Sequence, residues 1–145
     1  MEDQQEKRDP YNLQRFVDAQ IHVYADVCAE LRRGQKQSHW MWFVFPQIKG
    51  LGSSSASLYY GIFGREEAQA YLRHPVLGPR LRECTNLVNA VEGLTIRQIF
   101  SYPDDLKFRS CMTLFSEATS DNEEFLLALS KYFGGQPDLA TLARL

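Results

Sequence analysis

Apolar residues recur along this chain at steps of three and four rather than two. Leu13, Phe16, Val17, Ile21, Tyr24, Cys28 and Leu31 form one such stripe, which predicts a single helix from about Asn12 to Arg33. Asn12 is the candidate N-cap, because its side-chain oxygen can accept from free amides of the first turn. Gly34 is placed to end the helix in the left-handed conformation. The stretch SHWMWFVFP that follows predicts a short helix capped by Ser38 and ended by Pro46, with a buried strand as the alternative.

Further helices are expected over 53–62 and over REEAQAYL, and another opens at Pro75 or Pro79 and stops at Gly93. Thr95 with Gln98, and Asp121 with Glu124, have capping-box spacing. Pro103, Asp104 and Asp105 begin a helix whose apolar face takes in Leu106, Cys111, Leu114 and Phe115. Gly134 and Gly135 end the next, and Asp138 caps a short one beyond. The pattern predicts an all-α fold: a single compact, irregular array of about eight helices over residues 10–145. Residues 1–9, with six charges, read as a mobile tail.

Composition narrows the function classes. A hydrophobic content of 44% over 145 residues is enough for one packed core, and the net charge of −2 argues against nucleic-acid binding by overall charge. The three cysteines, Cys28, Cys84 and Cys111, are odd in number and lie on apolar faces, so reduced, buried thiols are expected. The charged N-terminus has no apolar run of the signal-peptide kind, and no segment is long enough to span a bilayer. A cytoplasmic, soluble protein with no membrane partner is the expectation. His22, His39 and His74 lie far apart with no HxxxH or CxxC spacing, and no phosphate-binding glycine loop is present. Neither a metal nor a cofactor is therefore expected.

Three segments carry candidate chemistry. In the first, Arg32, Arg33, Lys36 and His39 precede Trp40 and Trp42, and Gln47 follows. Cations beside indoles suit an anionic group attached to a planar ring, such as a nucleotide. The plainer alternative is a core of Trp40, Trp42, Phe43 and Phe45 with a solvated basic rim. In the second, His74 with Arg73, Arg80 and Arg82 lies at a proline-bracketed helix start, which could equally be satisfied by water. In the third, Asp104 and Asp105 point about 100° apart on a helix and suit its positive end, while Lys107 and Arg109 are free to face a pocket.

The segments LQRFVDAQ, AELRRGQKQSHWMWFVFPQIKGLG, EAQAYLRHPVLGPRLREC and PDDLKFRSCMTLF resemble the family known as domain of unknown function 1810, over about Leu13 to Leu145. The resemblance implies a mainly helical fold and brings no catalytic residues with it. Members are sometimes labelled calpastatin, a disordered inhibitor whose composition is unlike this core-forming one. Whether the chain is an enzyme stays open. The expected ligand is an anionic, nucleotide-like small molecule held by Arg33, Lys36, His39, Trp40, Trp42, Gln47, His74, Arg80 and Lys107. The alternative is a non-enzymatic module that docks a protein partner through the Trp/Phe segment.

Overall fold

A computed structural model describes residues 8–145, and the expected mobile tail lies mostly outside them. Asp9 is an exception. Its carboxylate oxygens accept from the amides of Leu13 at 2.7 Å and Gln14 at 3.0 Å, so it caps the first helix. Asn12, the expected cap, instead adopts a left-handed backbone with φ 53°.

The described residues form ten helices rather than eight. The long helix expected from Asn12 to Arg33 is two, α1 (Gln14–Gln20) and α2 (Tyr24–Arg33). A continuous helix could not serve both partners: α1 packs on α3 (Met41–Val44), whereas α2 packs on α6 (Leu77–Ala90). The break also leaves Ile21 exposed and turns Gln20 inward, where its amide donates to the Phe43 carbonyl at 2.7 Å.

Gly34 ends α2 with φ 71°, and a Cβ there would lie 2.9 Å from Leu94 Cδ1. The position thus requires glycine for its backbone and for its neighbour alike. After α3 the chain makes one parallel bridge between Ile48 and Ile62, bracketing α4 (Ser55–Tyr60). The helical choice for the 41–44 segment holds, with this single bridge as the only trace of strand pairing among the described residues.

The helices α5 (Arg65–Arg73), α7 (Ile96–Phe100), α9 (Glu123–Phe133) and α10 (Leu139–Ala143) all pack on α8 (Asp104–Ala118). A helix enclosed by four others must be apolar or small on nearly every face. Accordingly Phe108, Cys111, Met112, Leu114 and Phe115 are fully buried. Phe108 stacks on Phe100 with ring centroids 5.0 Å apart and meets Phe45 edge-on at 5.1 Å. Burying one such ring is worth about 1.5–3 kcal/mol.

The Thr95–Gln98 capping box forms as its spacing predicts, and Asp138 caps α10. The Asp121–Glu124 box does not form. The helix starts at Glu123 with Asn122 at the cap position, so the pair is out of register by one residue, and Glu124 pairs with Arg82. All three cysteines are buried free thiols. No described helix is long and apolar enough to cross a membrane.

Candidate functional site

The loop between α2 and α3 is organised by Glu30, a buried carboxylate on the last turn of α2. Its Oε1 accepts from the amides of Gln37 at 2.6 Å and Ser38 at 2.9 Å, and from the Trp40 indole Nε1 at 3.0 Å. Its Oε2 accepts from the Ser38 hydroxyl at 2.7 Å. Burial pushes the Glu30 carboxyl up. The four donors outweigh burial and hold it down at about 2.

This hub decides the fate of the first indole. Trp40 is 1% exposed, packed against Phe45 and Phe100, with its only polar atom satisfied by Glu30. It is a core residue. Lys36 is drawn in with it: the ammonium lies 5.1 Å from the Trp40 ring centre and 2.9 Å from Asp104 Oδ2, and donates to the Ser38 carbonyl at 2.6 Å. Lys36 therefore latches the loop to the start of α8.

Trp42, one residue into α3, turns the other way. It is only half-buried, and the Lys107 ammonium sits 3.7 Å from its ring centre. Lys107 lies one turn beyond Asp104, which it also approaches at 3.4 Å. Asp104 is thus shared between Lys36 and Lys107.

Trp42 and Lys107 form one wall of a cavity of about 280 Å³. Ile48, Leu51, Tyr60 and Leu106 supply most of its remaining apolar lining. Gln47, Ser57, Ser110 and Asp138 supply polar atoms. Gln47 Nε2 is buried and has no hydrogen-bond partner. Such an unmet donor costs about 1–3 kcal/mol. Leu106, expected on the buried face of α8, is half-exposed because it faces this cavity.

Of the nine residues singled out from the sequence, the structure brings Trp42, Gln47 and Lys107 into one cavity. Lys36 and Trp40 are the buried layer behind it. Arg33 and His39 are exposed and are not part of the lining, and Arg33 reaches only Gln37, at 3.3 Å. His74 and Arg80 lie elsewhere, each already occupied. His74 Nδ1 accepts from the amides of Val76 at 3.1 Å and Leu77 at 3.2 Å, capping α6. Arg80 stacks 4.5 Å over the Tyr24 ring and donates to Gln20. A proline-bracketed helix start was the feature that suggested an anion site there; the helix start is satisfied by His74 itself.

Tyr60, Ser57, Ser110 and Asp138 are cavity residues that the sequence did not reveal. Asp138 carried a cap signal, which explained it without a site. The others sit in ordinary helical patterns, and only tertiary packing assembles them. Among the described residues no group of three or more His, Cys, Asp or Glu is placed to hold a metal ion.

The profile of a family described as protein of unknown function (DUF1810) matches residues 10–145. The chain is also similar to the conserved hypothetical protein Rv1873 from Mycobacterium tuberculosis, whose crystal structure superposes with a TM-score of 0.94. The two are 58% identical, over 94% of this chain and 98% of that one. No curated protein matches the chain.

Proposed function

Because the chain belongs to the DUF1810 family of proteins of unknown function, no activity comes with membership, and we propose from the geometry that it binds a small anionic molecule carrying one planar or cyclic group. The cavity beside Trp42 and Lys107 is the site. The observation that carries this reading is the Lys107 ammonium 3.7 Å from the ring centre of half-buried Trp42, both at the wall of that cavity.

Size and charge refine the reading. About 280 Å³ is at the small end of ligand pockets, enough for one ring and its substituents but not for a dinucleotide. Lys107 would turn to an anion by leaving Asp104, which it approaches at 3.4 Å with both side chains 20% exposed. Asp104 meanwhile keeps Lys36 at 2.9 Å. The indole of Trp42 offers a face for the ligand ring.

A thermal-shift screen against nucleoside monophosphates and sugar phosphates tests this. A ligand at a hundred times its dissociation constant adds about 2.7 kcal/mol, a shift of several degrees. Trp42→Ala and Lys107→Gln should each remove the shift while leaving the unliganded midpoint within a few degrees. Absence of any shift with every anionic compound at millimolar concentration overturns the proposal.

A second reading, a protein-docking module, has its own support in Leu58, Tyr59 and Phe63, which are 50%, 56% and 79% exposed. It places the contact on this neighbouring surface rather than on the Trp/Phe segment, whose Trp40 and Phe45 are core. Concentration-dependent self-association, measured by sedimentation and abolished by Phe63→Ser, would favour it.

A further inference from the structure

Asp138 is held so firmly that only one of its oxygens is left to act. Its Oδ2 accepts from the Thr141 amide at 3.1 Å and the Thr141 hydroxyl at 2.6 Å, and lies 3.1 Å from the Ser110 hydroxyl, whose one proton it shares with the Leu106 carbonyl at 3.2 Å. Its own amide donates to Thr113 Oγ1 at 2.9 Å. The carboxylate is therefore fixed from both sides. Its Oδ1 has no hydrogen-bond partner among the described residues and is not among the buried unsatisfied atoms, so it remains reachable. Asp138 lines the cavity, and Oδ1 is its oxygen left without a protein partner.

An ionised carboxylate is an acceptor with no donor. Lys107, by contrast, brings a donor to the same cavity. The cavity is thus two-ended in its hydrogen-bonding demand. A ligand that is anionic throughout would meet repulsion from Asp138. A ligand matched to both ends carries its anion toward Lys107 and hydrogen-bond donors toward Asp138.

We propose that Asp138 is the specificity-determining acceptor of this cavity, and that the ligand presents it with vicinal hydroxyls of a ribose-like sugar that also bears a phosphate. A carboxylate fixed by its own protein contacts is well suited to accept from a sugar diol, and it discriminates against the deoxy sugar because the analogue closes the cavity over an acceptor left unmet. The inference rests on the cavity being the binding site proposed above. It adds which end of the ligand is read, and by which atom.

Isothermal titration calorimetry on the unaltered protein tests it, using the ribonucleoside 5′-monophosphates and ribose 5-phosphate beside their 2′,3′-dideoxy counterparts. The expected result is at least a tenfold weaker affinity for the dideoxy form of whichever compound binds. Asp138→Asn should then reduce this preference to about onefold. Its amide oxygen can take the place of Oδ2 among Ser110 and Thr141, while its NH₂ replaces the acceptor in the cavity. Equal affinity for the hydroxylated and dideoxy forms, with binding still abolished by Lys107→Gln, overturns the role of Asp138 and leaves the cavity as the site. Failure of every compound to bind overturns both. The ligand comparison uses unaltered protein, so the outcome stands even if Asp138→Asn fails to fold.

Discussion

Replacing Glu30 by glutamine should loosen the loop that carries both tryptophans, and the cost can be worked from the hub itself. A carboxyl held at about 2 against an ordinary 4.5 corresponds to about 3 kcal/mol of stabilisation at neutral pH, at about 1.4 kcal/mol for each tenfold change. The sign follows from the direction. Because the folded state binds this proton more weakly than the unfolded chain does, the contribution is complete above the ordinary value. It is then lost as pH falls from about 4.5 toward 2. Glutamine keeps one oxygen for the amides of Gln37 and Ser38 and the indole of Trp40, but it has no charge and no second acceptor for the Ser38 hydroxyl. Thermal unfolding at pH 7 should show Glu30→Gln melting about 6–12 °C below the parent chain, from about 2–4 °C per kcal/mol for a domain near this size. Repeating the melts should narrow that gap by about a quarter at pH 4 and about three quarters at pH 2.5, because the unfolded carboxyl takes up a proton that the folded one still resists, while the amide does not change. A gap of the same width at pH 2.5 as at pH 7 would refute the reasoning, since packing and not ionisation would then be the source.

Other perturbations probe separate parts of the molecule. Glu67→Gln removes the partner of Arg15 in a pair 2.8 Å apart whose side chains are 8% and 3% exposed, and should cost about 3–5 kcal/mol by urea denaturation, since a buried guanidinium is left uncompensated. Gly78→Ala puts a methyl 2.1 Å from the Leu72 carbonyl oxygen, where α6 closely approaches the backbone of α5, and should cost about 3 kcal/mol or abolish folding, judged by circular dichroism. Burial pushes the thiols of Cys28 and Cys111 up and that of Cys84 up to about 12, so a thiol-reactive dye at pH 8 should label the native chain far more slowly than the unfolded one.

Local signals in the sequence survived folding where no distant residue competed for them. Thr95 and Gln98 cap each other because both face solvent at a helix start. Asp121 and Glu124 have the same spacing, but α9 opens one residue later, at Glu123, and Glu124 turns to Arg82 from a different helix. The same rule separates the candidate site residues. Trp42, Gln47 and Lys107 carry composition that remained uncommitted after packing. Arg80 and His74 were consumed by Tyr24 and by the start of α6. The pairing of Trp40 with Glu30, ten residues earlier, follows from no local spacing rule, yet it decides which indole reaches the cavity. Asp138 was legible as a cap and not as a cavity wall, since its second oxygen acquires a meaning only when the 42–61 and 103–110 segments fold beside it.

The cavity wall is assembled from three stretches, 42–61, 103–110 and 138–140, with whole helices intervening between them. No fragment that ends before Pro137 contains the complete enclosure, however well α1 to α8 form. Occupancy therefore reports on long-range closure of the chain. A bound molecule would strengthen the seam between the α10 turn and the α3–α4 loop, a protection that hydrogen exchange would register at the Thr141 amide and the Ile62 amide together.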